Sequence, residues 1–299
     1  MALTVALGSM SPTWYSIGLG RPGLIAKYEV FPRIVATAAC IPTVVLTGKI
    51  YLYPIIVCAG SLLGIALYSV KVGNLASSRV PNMWAILKSI RQNGRDTLTV
   101  IIAGSYSISP VTIASVVVST KSVALFSAAD KIYRVSLFGV QAFGNAFQGW
   151  VAESNSLSKT RLLSWRMNSA LLVHSVLGIV GGAVLAFGGP FFTELLFGPD
   201  LMAPSLTCIF YGVAFLAVSV NTSTGRHVLV PLGMTKSVFL STIIGAAVGV
   251  VLMIVLGLSY GADGLSAGFA ASEVAVTIAQ VVALLLANTA YKRMRFLPV

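Results

Sequence analysis

Three full charges, Asp130, Lys131 and Arg134, stand close together inside Val123–Ala152, where most other positions are Val, Leu, Phe, Ile and Ala. At helical spacing Ser127, Asp130, Arg134, Gln141, Asn145 and Gln148 fall near one face, with Lys131 beside them. The chemistry open to such a row is non-covalent: cations offset the desolvation of an anion, and amides keep company with polar groups. Asp130 and Arg134, at i and i+4, can also neutralise each other, leaving Lys131 as net positive charge. Elsewhere Arg226 lies in NTSTGRH, Asn221–His227, and Glu273 is a lone acid in GFAASEVAVTIAQ with Gln280 two turns on. Glu273 is either a neutral acid packed between helices or a titrating coupling site, and Asp130 is the other candidate for coupling. His174 and His227 have no partner at ligand spacing. No metal site is expected of them, and His174 is expected to hydrogen-bond within a packed bundle.

The element that must carry the row is a long helix. Ser127 to Gln148 is 21 residues, roughly 31 Å at about 1.5 Å per residue, which matches the hydrocarbon thickness of a bilayer. A charged row of that length cannot face lipid, where each charge would cost several kcal/mol. It faces other helices as polar glue, or it lines a watery path, and the full charges favour the path.

Composition fixes the surroundings. The 299 residues are 57% hydrophobic and 9% charged, with a mean hydropathy of +0.91, so the expected class is an all-α polytopic membrane protein. The net charge of +12 is scattered singly between apolar runs, which argues for topology rather than nucleic-acid binding. Cys40, Cys58 and Cys208 lie inside apolar segments and suggest neither disulfides nor a zinc site. There is no GxxxxGK[ST], no HExxH and no serine nucleophile elbow, and with only eight acids an enzyme is not expected. No cofactor is expected either.

About eight spans are expected, at Phe31–Leu46, Ile50–Val70, Thr97–Val118, Val123–Ala152, Asn168–Phe187, Pro204–Leu232, Ser237–Leu258 and Gly264–Asn288. MALTVALGSM is too short to cross and resembles the tail of a helix. The polar connection 73–96 divides residues 1–72 from 97–299. Pro110 predicts a kink near Ser107–Pro110, and NTSTGRH predicts a bend or local unwinding. Gly245 and Gly249, then Gly261, Gly264 and Gly268, are spaced for close helix packing. One alternating set of loops carries fifteen Lys and Arg and the other only Lys49 and Lys121. By the positive-inside rule the first set, with the carboxyl terminus, is cytoplasmic.

SPTWYSIGLGRPGL, ALFSAADKIYR, LLFGPDLMAPS and VLVPLGMTKSV…YGADGLSAGFAASE are similar, in order and spacing, to segments of the lipid-linked oligosaccharide flippases. These export O-antigen and exopolysaccharide repeat units and belong to the multidrug/oligosaccharidyl-lipid/polysaccharide exporter superfamily. The resemblance covers nearly the whole chain. It implies twelve helices in two six-helix lobes working by alternating access in the bacterial cytoplasmic membrane. Residues 97–299 would be the C-terminal lobe and 1–72 the end of an N-terminal lobe lacking about three and a half helices. The implied substrate is an undecaprenyl-pyrophosphate-linked oligosaccharide, with a polysaccharide polymerase and other assembly proteins as partners. Lys131 and Arg134 are the carried-over pyrophosphate contacts, and Arg226 joins them from its place in the bent span. The alternatives are a multidrug antiporter of the same fold and a non-transporting membrane scaffold. An antiporter should hold more embedded acids than bases, whereas Lys131, Arg134 and Arg226 outnumber Asp130 and Glu273.

Overall fold

The computed structural model describes residues 10–11, 13–18, 21–72, 82–84, 87–88, 94, 110–156 and 160–294. Every regular element among them is helical. The chain divides into two units, Met1–Ile86 and Leu87–Val299.

In the first unit α1 (Thr13–Gly18) and α2 (Pro22–Ile25) lead through a π-helical turn (Ala26–Val30) into α3 (Phe31–Thr47), and α4 (Leu52–Lys71) returns beside it. Gly48 ends α3 with φ 66°, and its N–H bonds the Val44 carbonyl. The α3–α4 crossing is close because two glycines face it. A Cβ at Gly60 would lie 2.5 Å from Ala36 Cβ, and one at Gly64 would overlap the Tyr28 carbonyl. α1 is tied down by a buried hydroxyl pair, Ser16 Oγ and Tyr68 Oη at 2.8 Å. Glu29, in the π turn, accepts hydrogen bonds from Ser11 and Thr13.

In the second unit a helical stretch 110–117 precedes α5 (Thr120–Ser156), α6 (Thr160–Phe197), a 3₁₀ turn (Pro199–Leu201), α7 (Ser205–Ser223), a π turn (Thr224–Leu229) and α8 (Thr235–Met294). Its core is aromatic. Tyr133 of α5, Tyr211 of α7 and Phe269 of α8 meet with ring centroids 5.1–5.8 Å apart, and Phe126 joins Tyr211 at 5.6 Å. α6 and α7 run antiparallel and nearly touch: a Cβ at Gly182 would lie 2.7 Å from the Gly212 carbonyl oxygen, and one at Gly212 2.5 Å from that of Gly182. α8 is a hairpin. Gly261, at φ 60° and ψ −130°, breaks it in a conformation only glycine adopts without strain. Its two arms then pack back to back: Gly264 meets Leu256, Gly268 meets Met253, and Gly245 meets Val276 and Ser272. Gly245, Gly264 and Gly268 thus serve the packing expected of them, and Gly261 is the turn.

Among the described residues five helical segments are long and apolar enough to cross a membrane: Gly23–Thr47, Leu52–Lys71, Leu162–Phe197, Ser205–Leu229 and Thr235–Ala287, the last containing both hairpin arms. On α6, Leu172, Val176, Ile179, Val180, Phe187 and Phe191 are exposed along one stripe, as a lipid-facing surface would be. The protein is an all-α polytopic membrane protein. α5 spans 37 residues but is more polar than these five, because it carries the charged row. The bend expected at NTSTGRH takes a specific form. The chain does not unwind there but widens into a π turn, with Gly225 against the Gln280 side chain. The expected span 97–118 is described only from Pro110. The kink near Ser107, most of the connection 73–96 and most of the first ten residues lie outside the described residues.

Candidate functional site

α5 presents two faces within its unit. Phe126, Ala129, Tyr133, Val140, Gly144, Val151 and Ser154 repeat every three or four residues and are buried against α6, α7 and α8. The neighbouring face carries Ser127, Lys131, Arg134, Gln141, Asn145 and Gln148, all exposed or half-buried within this unit. Phe138, 69% exposed, interrupts that row.

One anticipated member of the row is turned inward. Asp130 is only 3% exposed and sits at the edge of the aromatic core. Two donors hold it there: Arg134 Nε at 2.5 Å and Tyr211 Oη at 3.3 Å, the latter reaching across from α7. The carboxylate is therefore on the core side, while the Arg134 side chain, 38% exposed, spans from it to the open face. A charge-assisted bond to each oxygen compensates a group whose desolvation would otherwise be prohibitive. Lys131 is exposed, with its ammonium 5.6 Å from the centre of the Phe197 ring at the end of α6.

A second polar centre lies farther along the same face. Arg226 projects from the π turn and donates to Asn145 Oδ1 at 3.4 Å. Arg226 is exposed while its neighbours Gly225 and His227 are buried. The widened turn thus aims the guanidinium at α5. Arg134 and Asn145 are eleven residues apart on α5, about 16 Å along its axis. Gln141 lies between them, exposed. Glu273 belongs to neither centre. It accepts from Asn221 Nδ2 at 3.2 Å, and Thr277, one turn on, bonds the Ala217 carbonyl at 3.1 Å.

Sequence spacing did not reveal three contacts. Tyr211 completes the Asp130 pair. Thr207 Oγ1 donates to Asp263 Oδ1 at 2.6 Å, joining the start of α7 to the α8 turn. His174 and His227, 53 residues apart in sequence, meet with ring centroids 5.2 Å apart and planes tilted by 58°. The available signal for the first two was Thr207 and Tyr211 at i and i+4 in the otherwise apolar stretch 206–218. Nothing local could have paired the histidines. Among the described residues no group of three or more His, Cys, Asp or Glu is placed to hold a metal. No family model, curated protein or solved structure matches the chain.

Proposed function

We propose that this protein flips a polyprenyl-pyrophosphate-linked oligosaccharide across the bacterial cytoplasmic membrane by alternating access, its carboxyl terminus in the cytoplasm. One observation carries the reading: a membrane-length helix holds Lys131, Arg134, Gln141, Asn145 and Gln148 on a face that the described residues of its unit leave open, with Arg226 brought to the same face. Such a row is unstable against hydrocarbon and stable against water, sugar hydroxyls and phosphate. Arg134 and Lys131 form one cationic centre, Arg226 another, and the amides between them suit hydroxyl groups. The pyrophosphate moves along the row while the polyprenyl tail stays in the bilayer. An inside-negative potential favours outward movement of the anion by about 2.3 kcal/mol per charge per 100 mV across the full field. Asp130 and Glu273 are the acids available for ion coupling, and a polymerase that receives the glycan outside is the partner this reading implies.

The test is complementation in bacterial cells lacking their own flippase, scoring surface polysaccharide and protein level together. Arg134→Gln and Arg226→Gln are expected to abolish polysaccharide from correctly inserted protein. Normal polysaccharide from both variants would overturn the proposal.

A further inference from the structure

The rings of His174 and His227 are both 0% exposed, and obligate acceptors surround them. The Ala170 carbonyl lies 2.9 Å from His174 Nδ1, and the Gly144 carbonyl 3.0 Å from His227 Nε2. The Val140 carbonyl faces the His174 ring as well. Ser223 Oγ, 3.1 Å from His227 Nδ1, can either donate or accept. Because a carbonyl only accepts, Ala170 and Gly144 each require an N–H, and two neutral rings then have none left. His174 Nε2 is left as a buried atom with no hydrogen-bond partner among the described residues. One further proton on the pair converts that nitrogen to a donor, and Ser223 adapts without moving.

We infer that the His174–His227 pair is a proton-binding site linked to the anion held by Arg226, so that binding the anion takes up a proton. This rests on the reading of Arg226 given above. Several elements surround the pair. α5 brings Val140, Gly144 and Phe147, α6 brings Ala170, and α7 brings Ser219 and Ser223. α8 brings Gln280 beside Gly225, while its Glu273 bonds Asn221. Among the described residues Arg226 is the charged group beside the pair: it adjoins His227 in the chain, and a Cβ at Gly144 would lie 3.7 Å from Arg226 Nη1 and 3.9 Å from His174 Nε2. An extra proton therefore adds a buried positive charge beside the Arg226 guanidinium, which is unfavourable until an anion arrives. Linkage is reciprocal: whatever the anion does for the proton, the proton does for the anion.

The experiment uses the full chain in zwitterionic lipid nanodiscs, with geranylgeranyl pyrophosphate as the probe. Calorimetry in two buffers of different ionisation enthalpy counts the protons taken up. Wild type should take up as much as one proton per ligand more than His174→Phe, the ligand's own protonation cancelling in the difference. Its affinity should also weaken by up to about tenfold per pH unit more steeply than that of the variant. His227→Gln keeps a donor toward Gly144 and guards against a folding defect in the Phe variant; it should lose the extra proton too. Binding with equal proton uptake in wild type and both variants overturns the linkage alone. No binding at any pH overturns the Arg226 reading and the linkage together. Imidazole nitrogen NMR then decides the pair by itself, since rings that stay neutral down to pH 5 overturn the proton site.

Discussion

At the scale of single residues, Asp130 decides what Arg134 can be used for. The carboxylate is buried and has both Arg134 and Tyr211 as donors. Arg134→Gln should therefore lower stability by about 3 kcal/mol, because it strands a buried charge. Adding Asp130→Asn should restore stability, measured by thermal unfolding in detergent. If Arg134 meets pyrophosphate, the stable double variant still makes no surface polysaccharide; if it only neutralises Asp130, polysaccharide returns with stability. Tyr211→Phe removes one bond to a charged group and should cost about 1–2 kcal/mol, with the Arg134 contact left intact.

At the scale of elements, α6 and α7 are held at a distance set by glycine. A methyl group at Gly182 has no room before the Gly212 carbonyl, so Gly182→Ala should destabilise by about 1–3 kcal/mol. Gly139 on α5 is the control. A Cβ there meets nothing within 4 Å, and Gly139→Ala should be neutral or stabilise by up to about 1 kcal/mol through helix propensity. The same midpoint of thermal unfolding reads both. Much at this scale was legible in the sequence. The helices were visible as apolar runs, and the polar row of α5 as a spacing of three and four residues. Asp130 was misplaced because it falls at the edge of that row, where the angle alone does not say which way a short side chain turns. Tyr211 and Arg134, from two different helices, settled it. The π turn was anticipated only as a disturbance, since an extra residue per turn leaves no compositional mark. The histidine pair needed α5, α6 and the π turn to be packed before it existed at all.

For the whole molecule, the contacts of the second unit sort its charges by end. Ser122 lies against Gly261, and Thr207 bonds Asp263, which gathers the start of α5, the start of α7 and the α8 turn at one end. At the other end Arg166 bonds Glu153, joining the start of α6 to the end of α5. This alternation is the one that the lysine and arginine tally requires. Cysteines placed at Lys49 and Lys121, both exposed, should react with an impermeant maleimide on intact cells. One placed at Lys88 should react only after permeabilisation. The reverse pattern would invert the topology and put the carboxyl terminus outside.

The α8 hairpin also bears on how the protein is made. Its 60 residues are far more than one crossing needs, yet Gly261 folds them so that both ends finish on one side. A ribosome-bound chain would deliver the pair to the insertion machinery as a single loop, with Asp263 the one acid that has to be carried over. Thr207 precedes it in the chain and donates to that carboxylate in the finished fold. On this reading Gly261 serves insertion as well as the finished fold. Replacing it by a residue that straightens the turn would leave an overlong helix with no place to go, and the quality-control proteases of the membrane, rather than a transport assay, would register the change first.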